Sequence, residues 1–198
     1  MLRRLLEENR RLTRELRELT RLRGLAERDE LTGLPNRRAW ADRLTEELSR
    51  SKRTRGQPGS LLIVDMNDLK GINDRLGHAT GDLALRETAR VLRATLRAPD
   101  VCCRTGGDEF MILLPETDAA EARLVVARLR SAVMRAGARR DLPLSISLGA
   151  ASWPEDGDDP AVLIDLADRA MYAEKQLFAS RGAERPGAVR RPVLALVK

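Results

Sequence analysis

Two apolar segments separated by a glycine pair constrain the fold of this chain more than any other feature. The segments are VCC at residues 101–103 and FMILL at residues 110–114, and RTGGDE lies between them. Strand-length apolar runs on both sides of Gly-Gly predict an antiparallel hairpin over about Asp100–Leu114. Asp108 and Glu109 would then lie at its tip or first rung, beside glycines whose backbone a phosphate or metal ion could approach. Taken alone, the motif is equally compatible with an ordinary polar turn.

A second acid supports a functional reading of this turn. Residues 60–66 read SLLIVDM, an apolar run that ends in the carboxylate of Asp65. This pattern is typical of a buried central strand, where an unpaired carboxylate is costly unless a partner or a metal neutralises it. Asp65 and Asp108 could therefore meet on neighbouring strands and share a hard cation, and Mg²⁺ commonly binds through one or two carboxylates plus water and phosphate.

Further motifs resemble, in order, those of the GGDEF family of diguanylate cyclases. They are DELTGLPNRR at 29–38, DMNDLKGIND at 65–74, GH at 77–78, GD at 81–82, GGDEF at 106–110, LSISLG at 144–149, AD at 167–168, MY at 171–172 and Lys175. The resemblance covers about residues 29–180. Because so many motifs follow in the family's order, the chain is identified as a member of it.

The resemblance implies an α/β (α+β) fold with a central, mostly antiparallel five-stranded sheet flanked by helices, similar to nucleotidyl cyclases and the polymerase palm. The hydrophobic pattern predicts helices at about 36–53, 69–76, 81–97, 118–136 and 160–178, and strands at about 61–66 and 143–151 in addition to the hairpin. Three units are expected: a coiled-coil dimerisation and signalling helix at 1–28, a catalytic domain at 29–181 and a tail at 182–198.

The family's reaction joins two GTP molecules into cyclic di-GMP and releases two pyrophosphates. Each step is the attack of a ribose 3′-hydroxyl on an α-phosphate, for which positioning and metal electrostatics supply most of the rate. The resemblance implies that Asp65, Asp108 and the backbone carbonyl of Met66 hold Mg²⁺ or Mn²⁺. Glu109 would assist the metal or accept the hydroxyl proton.

Asn73 and Asp82 match the family's guanine-reading positions. A carboxylate can accept two N–H groups from the guanine edge, which adenine does not offer, so Asp82 favours GTP over ATP. For Asn73 a role as a helix or turn cap is the structural alternative. The other substrate-binding positions that the resemblance implies are Lys70, Lys175, Gly106 and Gly107.

The segment RAPD at residues 97–100 resembles the family's inhibitory RxxD site, and Arg128 falls where the family often has a second inhibitory arginine. A guanidinium fork and a carboxylate suit the phosphate and guanine edge of cyclic di-GMP, so product inhibition is expected. The alternative is that Arg97 caps the C-terminus of a helix and pairs with Asp100.

The chain departs from the family after Lys175, where Gly-Arg usually follows and the arginine contacts phosphate. Phe178 and Ala179 stand in those places, and Arg181 could reach the phosphate from a shifted register. Two further departures, Asn67 and Leu69, are conservative for packing. The missing arginine mildly favours an alternative function, a catalytically silent receptor that binds cyclic di-GMP and signals through the coiled coil. His78, the single histidine, is read as structural.

The N-terminal segment has a heptad pattern. Leu5, Leu12, Leu19 and Ala26 recur at one core position, and Leu2, Asn9, Leu16 and Arg23 at the other. This pattern favours a parallel homodimer, with the buried asparagine selecting two strands, over a lone amphipathic helix packed on its own domain. A dimer would raise the effective concentration of one GTP site near another. An upstream sensor, outside this chain, is the expected source of control.

Composition bears on the partners and the location. The net charge of +6 invites a nucleic-acid reading, but 3% aromatic residues and scattered basic residues give no base-stacking platform, so no nucleic acid is expected. Because no apolar run is long enough to span a bilayer and the start is too charged for a signal peptide, we expect a cytoplasmic location without a direct membrane span. Cys102 and Cys103 would face opposite sides of a strand as buried, reduced thiols.

Overall fold

The computed structural model describes residues 4, 8–15, 18, 26–54 and 56–180, and residues 8–15 are helical. After this N-terminal segment, helices α1 to α5 span Arg37–Arg53, Leu69–Leu76, His78–Thr95, Ala119–Arg140 and Pro160–Ser180. Strands β1 to β4 span Gly59–Met66, Val101–Gly106, Glu109–Pro115 and Ile146–Trp153. The alternation of helices and strands therefore follows the order that the hydrophobic pattern predicts.

The strands form one antiparallel sheet in the order β2-β3-β1-β4. The apolar run 59–66 becomes the central strand β1, and all eight of its residues are buried, as predicted. The described residues contribute four strands to the sheet, one fewer than the predicted five. The strand predicted at about 143–151 begins later, at Ile146, because Pro143 has no amide hydrogen and the Leu144 amide donates to the carbonyl of Leu142.

The sheet separates two apolar cores because side chains alternate along each strand. Leu62, Val64 and Phe110 pack beneath α2, α3 and α4, whereas Leu61 and Ile63 pack beneath α1 and α5. The two cysteines follow the same rule, since Cys102 lies in the first core and Cys103 in the second. Both thiols are buried and free, which confirms the prediction. Layers of helices thus cover both faces and leave the strand ends as the exposed part of the sheet.

Helix α3 begins three residues before its predicted start at residue 81 and ends two residues before its predicted end at residue 97. Gly77, at φ +83°, ends α2 and turns the chain directly into α3 at His78. At the other end the helix stops at Thr95, and the carboxylate of Asp100 accepts the backbone amide of Arg97 at 2.9 Å. Arg97 is therefore a loop residue, not the last residue of a helix.

The predicted coiled coil stays a prediction. Of its core positions, Asn9, Leu12 and Ala26 are described, and the side chain of Leu12 is exposed. The other core positions, Leu2, Leu5, Leu16, Leu19 and Arg23, lie outside the described residues, as do the tail 182–198 and Arg181. No helix in the described ranges has the length and apolar character needed to cross a membrane.

Candidate active site

The predicted acids meet where the end of β1 faces the β2–β3 turn. Asp65 is paired across the sheet with Glu109, and the amide of Met66 donates to the carbonyl of Asp108 at 2.9 Å. The turn itself requires left-handed backbone, which Gly106 (φ +149°) and Gly107 (φ +51°) supply. The hairpin therefore brings the signature acids to the C-terminal end of the central strand.

Asp65 is almost completely buried, with 4% of its surface exposed. Burial, followed by the nearby charge of Asp108, raises the pKa of Asp65 to about 7, although Lys175 opposes the shift. The ammonium Nζ of Lys175 lies 2.7 Å from Oδ1 of Asp65. A buried carboxylate beside another acid is electrostatically costly, so this position favours a bound cation.

Glu109 shares this environment. Burial raises its pKa, and the charges of Asp108 and Asp168 raise it further, whereas Lys175 and Arg37 lower it. The two-residue period of the strands explains why these charges lie together, because Glu109 and Asp65 both point to the face covered by α1 and α5. Carboxylates on that face therefore lie close to the start of α1 and the middle of α5.

The donor set fits a hard divalent cation. Asp65 and Asp108 offer carboxylate oxygens at adjoining backbone positions, and the charge that they concentrate raises the pKa of Asp65. In the described part of the chain, no three His, Cys, Asp or Glu side chains form a ready metal cluster. Two carboxylates with a backbone oxygen are nevertheless a usual protein contribution to Mg²⁺ coordination.

Asn73 and Asp82 lie on α2 and α3, on either side of the tight connection at Gly77. Gly81 makes this approach possible, since a Cβ there would collide with the side chain of Asn73. Asp82 is half exposed, with Arg86 3.8 Å away. Lys70 is exposed at the start of α2, and His78 is exposed at the start of α3. Asn73 and Asp82 are thus on accessible surface where two helices join.

One contact at this turn was not foreseen from the sequence. Arg104 donates to the carbonyl of Gly107 at 2.7 Å and to both carboxylate oxygens of Asp29 at 3.1 Å. Thr32 also donates to Asp29 from its amide and its hydroxyl. The signal was present in the two motifs that contain Asp29 and Arg104, but their 75-residue separation concealed the pairing.

A cavity of about 980 Å³ lies on the α1 side of the turn. Its lining includes Arg28, Asp29, Arg37, Arg104 and Gly106, and it does not include Asp65, Asn73 or Asp82. The cavity therefore adjoins the turn at Gly106, and neither the signature acids nor the guanine-matching residues line it.

The RxxD segment forms a compact loop at the far end of β3. Arg97 donates to Asp100 at 3.2 Å, to the carbonyl of Pro115 at 3.2 Å and to the hydroxyl of Thr117 at 2.8 Å. Arg128 lies exposed on α4. The pairing of Arg97 with Asp100 matches the structural alternative in part, although Arg97 caps no helix.

Glu174 anchors the turn of α5 that carries Lys175. Glu174 accepts the amide of Leu148 on edge strand β4 at 3.1 Å and pairs with Arg130 of α4 at 2.6 Å. Phe178 and Ala179, which stand where the family has Gly-Arg, belong to the last turns of α5. The described residues place Lys175, and no arginine of α5, against the acids.

Comparisons with known proteins identify the relatives of this chain. A family model described as diguanylate cyclase, GGDEF domain, matches residues 26–181. The response regulator PleD of Caulobacter vibrioides is 38% identical over 156 residues, covering 76% of this chain and 34% of that protein. Diguanylate cyclase TpbB of Pseudomonas aeruginosa is 39% identical over 164 residues, covering 81% and 37%. The chain thus spans about a third of the length of these curated relatives.

Solved structures show the same fold. The coiled coil and GGDEF domain of DgcB from Caulobacter crescentus, in complex with cyclic di-GMP, matches with a TM-score of 0.73 at 26% identity, covering 91% of this chain and 94% of that one. Diguanylate cyclase SiaD of Pseudomonas aeruginosa, in complex with its activator SiaC, matches with a TM-score of 0.69 at 35% identity, covering 88% and 69%.

Proposed function

The chain belongs to the GGDEF domain family of diguanylate cyclases, and we propose that it condenses two GTP molecules into cyclic di-GMP with release of two pyrophosphates. The observation that carries this proposal is the junction of Asp65 with Asp108 through the hydrogen bond from Met66 to the Asp108 carbonyl. It concentrates two carboxylates at a glycine turn that a triphosphate can approach.

In this proposal Asp65, Asp108 and the carbonyl of Met66 hold Mg²⁺ or Mn²⁺. When bound, the metal neutralises phosphate charge and polarises the α-phosphate for attack. Glu109 lies one backbone position from Asp108, and its raised pKa suits a group that accepts the proton of the ribose 3′-hydroxyl. The glycines Gly106 and Gly107 keep the turn free of side chains where the phosphates would lie.

Guanine recognition is proposed at the junction of α2 and α3. The amide of Asn73 would donate a hydrogen bond to guanine and accept one from it, and the carboxylate of Asp82 would accept hydrogen bonds from guanine N1 and N2. Arg86 is 3.8 Å from Asp82, beyond hydrogen-bond distance, so the carboxylate keeps its acceptor capacity. Lys70 and Lys175 would contact the triphosphate from α2 and α5.

Two domains must face each other, because each site holds one GTP and the product contains two guanosines. We place the dimer contact in the predicted coiled coil of residues 1–28, under control of an upstream sensor. The match to the coiled coil and GGDEF domain of DgcB supports this organisation. The reaction consumes a cytoplasmic nucleotide, so the proposal includes a cytoplasmic location.

Product inhibition is proposed at Arg97, Asp100 and Arg128. DgcB, a structural match, was solved with cyclic di-GMP. In this chain the Arg97 side chain is half exposed, so it can turn from Thr117 and Pro115 to a phosphate. Arg97→Ala should weaken inhibition by added cyclic di-GMP about tenfold or more, because charge-assisted fork contacts are strong. Arg93→Ala, an exposed arginine on α3, is the matched control; equal inhibition of both variants would contradict the assignment.

The test of the reaction is incubation of the purified chain with GTP and Mg²⁺, followed by chromatography of the nucleotides. Asp108→Ala should lower formation of cyclic di-GMP at least about a hundredfold, since it removes charge stabilisation at the reacting phosphate. The surface variant Asp158→Ala, which removes only a pair with Lys52, should match the parent. Equal product from Asp108→Ala and the parent would overturn the metal-site assignment.

The alternative is a silent receptor that binds cyclic di-GMP and signals through the coiled coil. Phe178 and Ala179 in place of Gly-Arg mildly favour it, because the phosphate contact of that arginine is lost unless Arg181 supplies it. The acids Asp65, Asp108 and Glu109 oppose it, since a silent site has no use for them. Absence of product from the parent, after bound cyclic di-GMP is stripped and dimer formation is verified, would establish the receptor.

A further inference from the structure

The Lys175 ammonium contacts the carboxylate that the proposed metal would bind. Its Nζ lies 2.7 Å from Oδ1 of Asp65, whose side chain is only 6% exposed, while that of Lys175 is 28% exposed. The ammonium contacts one of the two carboxylate oxygens, and a divalent cation bound to the same carboxylate would lie within a few ångströms of it, so the two cations would repel each other strongly. The ion pair therefore competes with metal ligation at Asp65.

We propose that Lys175 exchanges between two anions: it neutralises Asp65 in the free protein and turns to the nucleotide phosphates when the metal takes its place. This inference rests on the proposed function. It assigns one side chain two successive partners: Lys175 first pairs with the metal-binding carboxylate and then binds the substrate.

The surroundings of Asp65 explain why a resident cation is needed. Asp65 is paired across the sheet with Glu109, and the amide of Met66 donates to the carbonyl of Asp108, so three acids share a partly buried region. Lys175 is in direct contact with Asp65, so its loss would leave that carboxylate without its ion-pair partner in the free protein. Burial of a carboxylate without a partner is unfavourable, and the ion pair offsets that cost.

The exchange requires movement of a side chain, not of a helix. Glu174 anchors this turn of α5 to the Leu148 amide and to Arg130. Gly149 lets α5 approach β4 so closely that a Cβ there would collide with the backbone of Ala167 and Met171. The four-carbon stem of lysine can carry its charge over several ångströms while the helix stays fixed.

The exchange predicts how metal and nucleotide depend on each other. Metal alone must separate Lys175 from Asp65 and leave the ammonium without a partner, so it binds weakly. Metal with a nucleotide supplies phosphates that receive the ammonium, so each ligand strengthens the binding of the other.

The first test is titration of the purified chain with Mn²⁺ at pH 8.5, with free Mn²⁺ measured by electron paramagnetic resonance. Without nucleotide, Lys175→Met should bind Mn²⁺ about tenfold more tightly than the parent, since one buried ion pair no longer has to be broken. With a non-hydrolysable GTP analogue present, the parent should bind Mn²⁺ more tightly than Lys175→Met. Lys52→Met removes a surface lysine paired with Asp158 and should match the parent in both titrations.

The second test observes Lys175 directly. The chain contains four lysines, Lys52, Lys70, Lys175 and Lys198, so the ε-methylene signals of ¹³C-lysine protein can be assigned by substitution. Asp65→Asn should shift the Lys175 signal in the free protein, and Mg²⁺ with the GTP analogue should shift it in the parent. The Lys52 signal should stay constant throughout.

The outcomes separate the exchange from the proposed function. Equal Mn²⁺ affinity of the parent and Lys175→Met without nucleotide, or a Lys175 signal that does not respond to Mg²⁺ with analogue, would overturn the exchange and leave the metal site standing. Absence of Mn²⁺ binding to both proteins, even with the analogue, would overturn the metal site and the exchange with it.

Discussion

Arg104 and Asp29 form a two-pronged ion pair, with both carboxylate oxygens 3.1 Å from the same guanidinium nitrogen, Nη1. The remaining nitrogens of Arg104 donate to the carbonyl of Gly107, so a residue 75 positions upstream is tied to the signature turn. Burial alone would raise the pKa of Asp29, but hydrogen bonds from Thr32 and Arg104 hold it below its usual value. The segment that precedes α1 thus helps to shape the turn that carries Asp108.

Replacement of Arg104 by lysine should therefore impair the turn although the charge is kept. A lysine cannot donate to Asp29 and Gly107 together, so we expect a loss of about 1–3 kcal/mol in unfolding free energy and a lower rate of product formation. Urea unfolding and the chromatographic assay measure the two effects. Arg38→Lys, an exposed arginine at the start of α1, is the control. A variant as stable and active as the parent would show that the contact is dispensable.

The ionisation of Asp65 should make stability depend on pH. Its pKa is about 7 in the folded chain against an ordinary value of 3.8, so between these values the folded chain holds a proton that the unfolded chain has released. The unfolding free energy should therefore fall as pH rises from about 4 to 7, by up to roughly 1.4 kcal/mol per pH unit from this group. Urea unfolding of Asp65→Asn should show a shallower dependence; an unchanged slope would contradict the shift.

The same ionisation should govern stabilisation by metal. A metal ligand must be deprotonated, so Mg²⁺ with a GTP analogue should raise the melting temperature of the parent more at pH 8 than at pH 5.5. Asp65→Asn should show little increase at either pH. Thermal unfolding with and without ligand provides the measurement, and equal increases for parent and variant would place the metal elsewhere.

Loss of Glu174 should destabilise the contact between α5 and β4. Glu174→Ala leaves the edge amide of Leu148 without its acceptor and removes the partner of Arg130, whose Nε is already buried without a hydrogen bond among the described residues. We expect a cost of about 1–3 kcal/mol in unfolding free energy. Asp165→Ala breaks a comparable pair with Arg169 on the exposed side of the same helix and should cost less than about 1 kcal/mol. Equal costs would show that Glu174 acts only as a surface charge.

Gly149→Ala should displace α5 and with it Lys175. The added Cβ would meet the backbone of Ala167 and Met171, which cannot move aside as a side chain would. We expect a loss of roughly 2–3 kcal/mol in stability, since overpacking against backbone strains both elements. Gly157→Ala adds a methyl group into open space at φ +106°, so it measures the conformational cost alone. A smaller effect at Gly149 than at Gly157 would contradict the close approach.

Much of the fold and site could be predicted from local pattern. Helix α2 has the predicted bounds, because its apolar spacing, its preceding turn and Gly77 all act within a few residues. The hairpin and β1 followed from apolar runs and the glycine pair. The predicted five strands exceeded the four described, because the fifth came from the resemblance alone and no apolar run in the sequence indicated it. The end of α3 was misplaced because the Asp100 side chain, outside the helical pattern, takes the Arg97 amide.

Residue order alone was enough to indicate the family, the buried central strand and the acids Asp65 and Asp108, since period and turn chemistry are local properties. Tertiary structure alone decided which charges meet. Lys175 lies 110 residues from Asp65, and Arg104 lies 75 from Asp29, so neither pairing leaves a trace in local spacing. These contacts depend on how α5 and the segment before α1 pack against the sheet. Burial makes these contacts important for stability, because a charge removed from water is costly unless an opposite charge lies beside it.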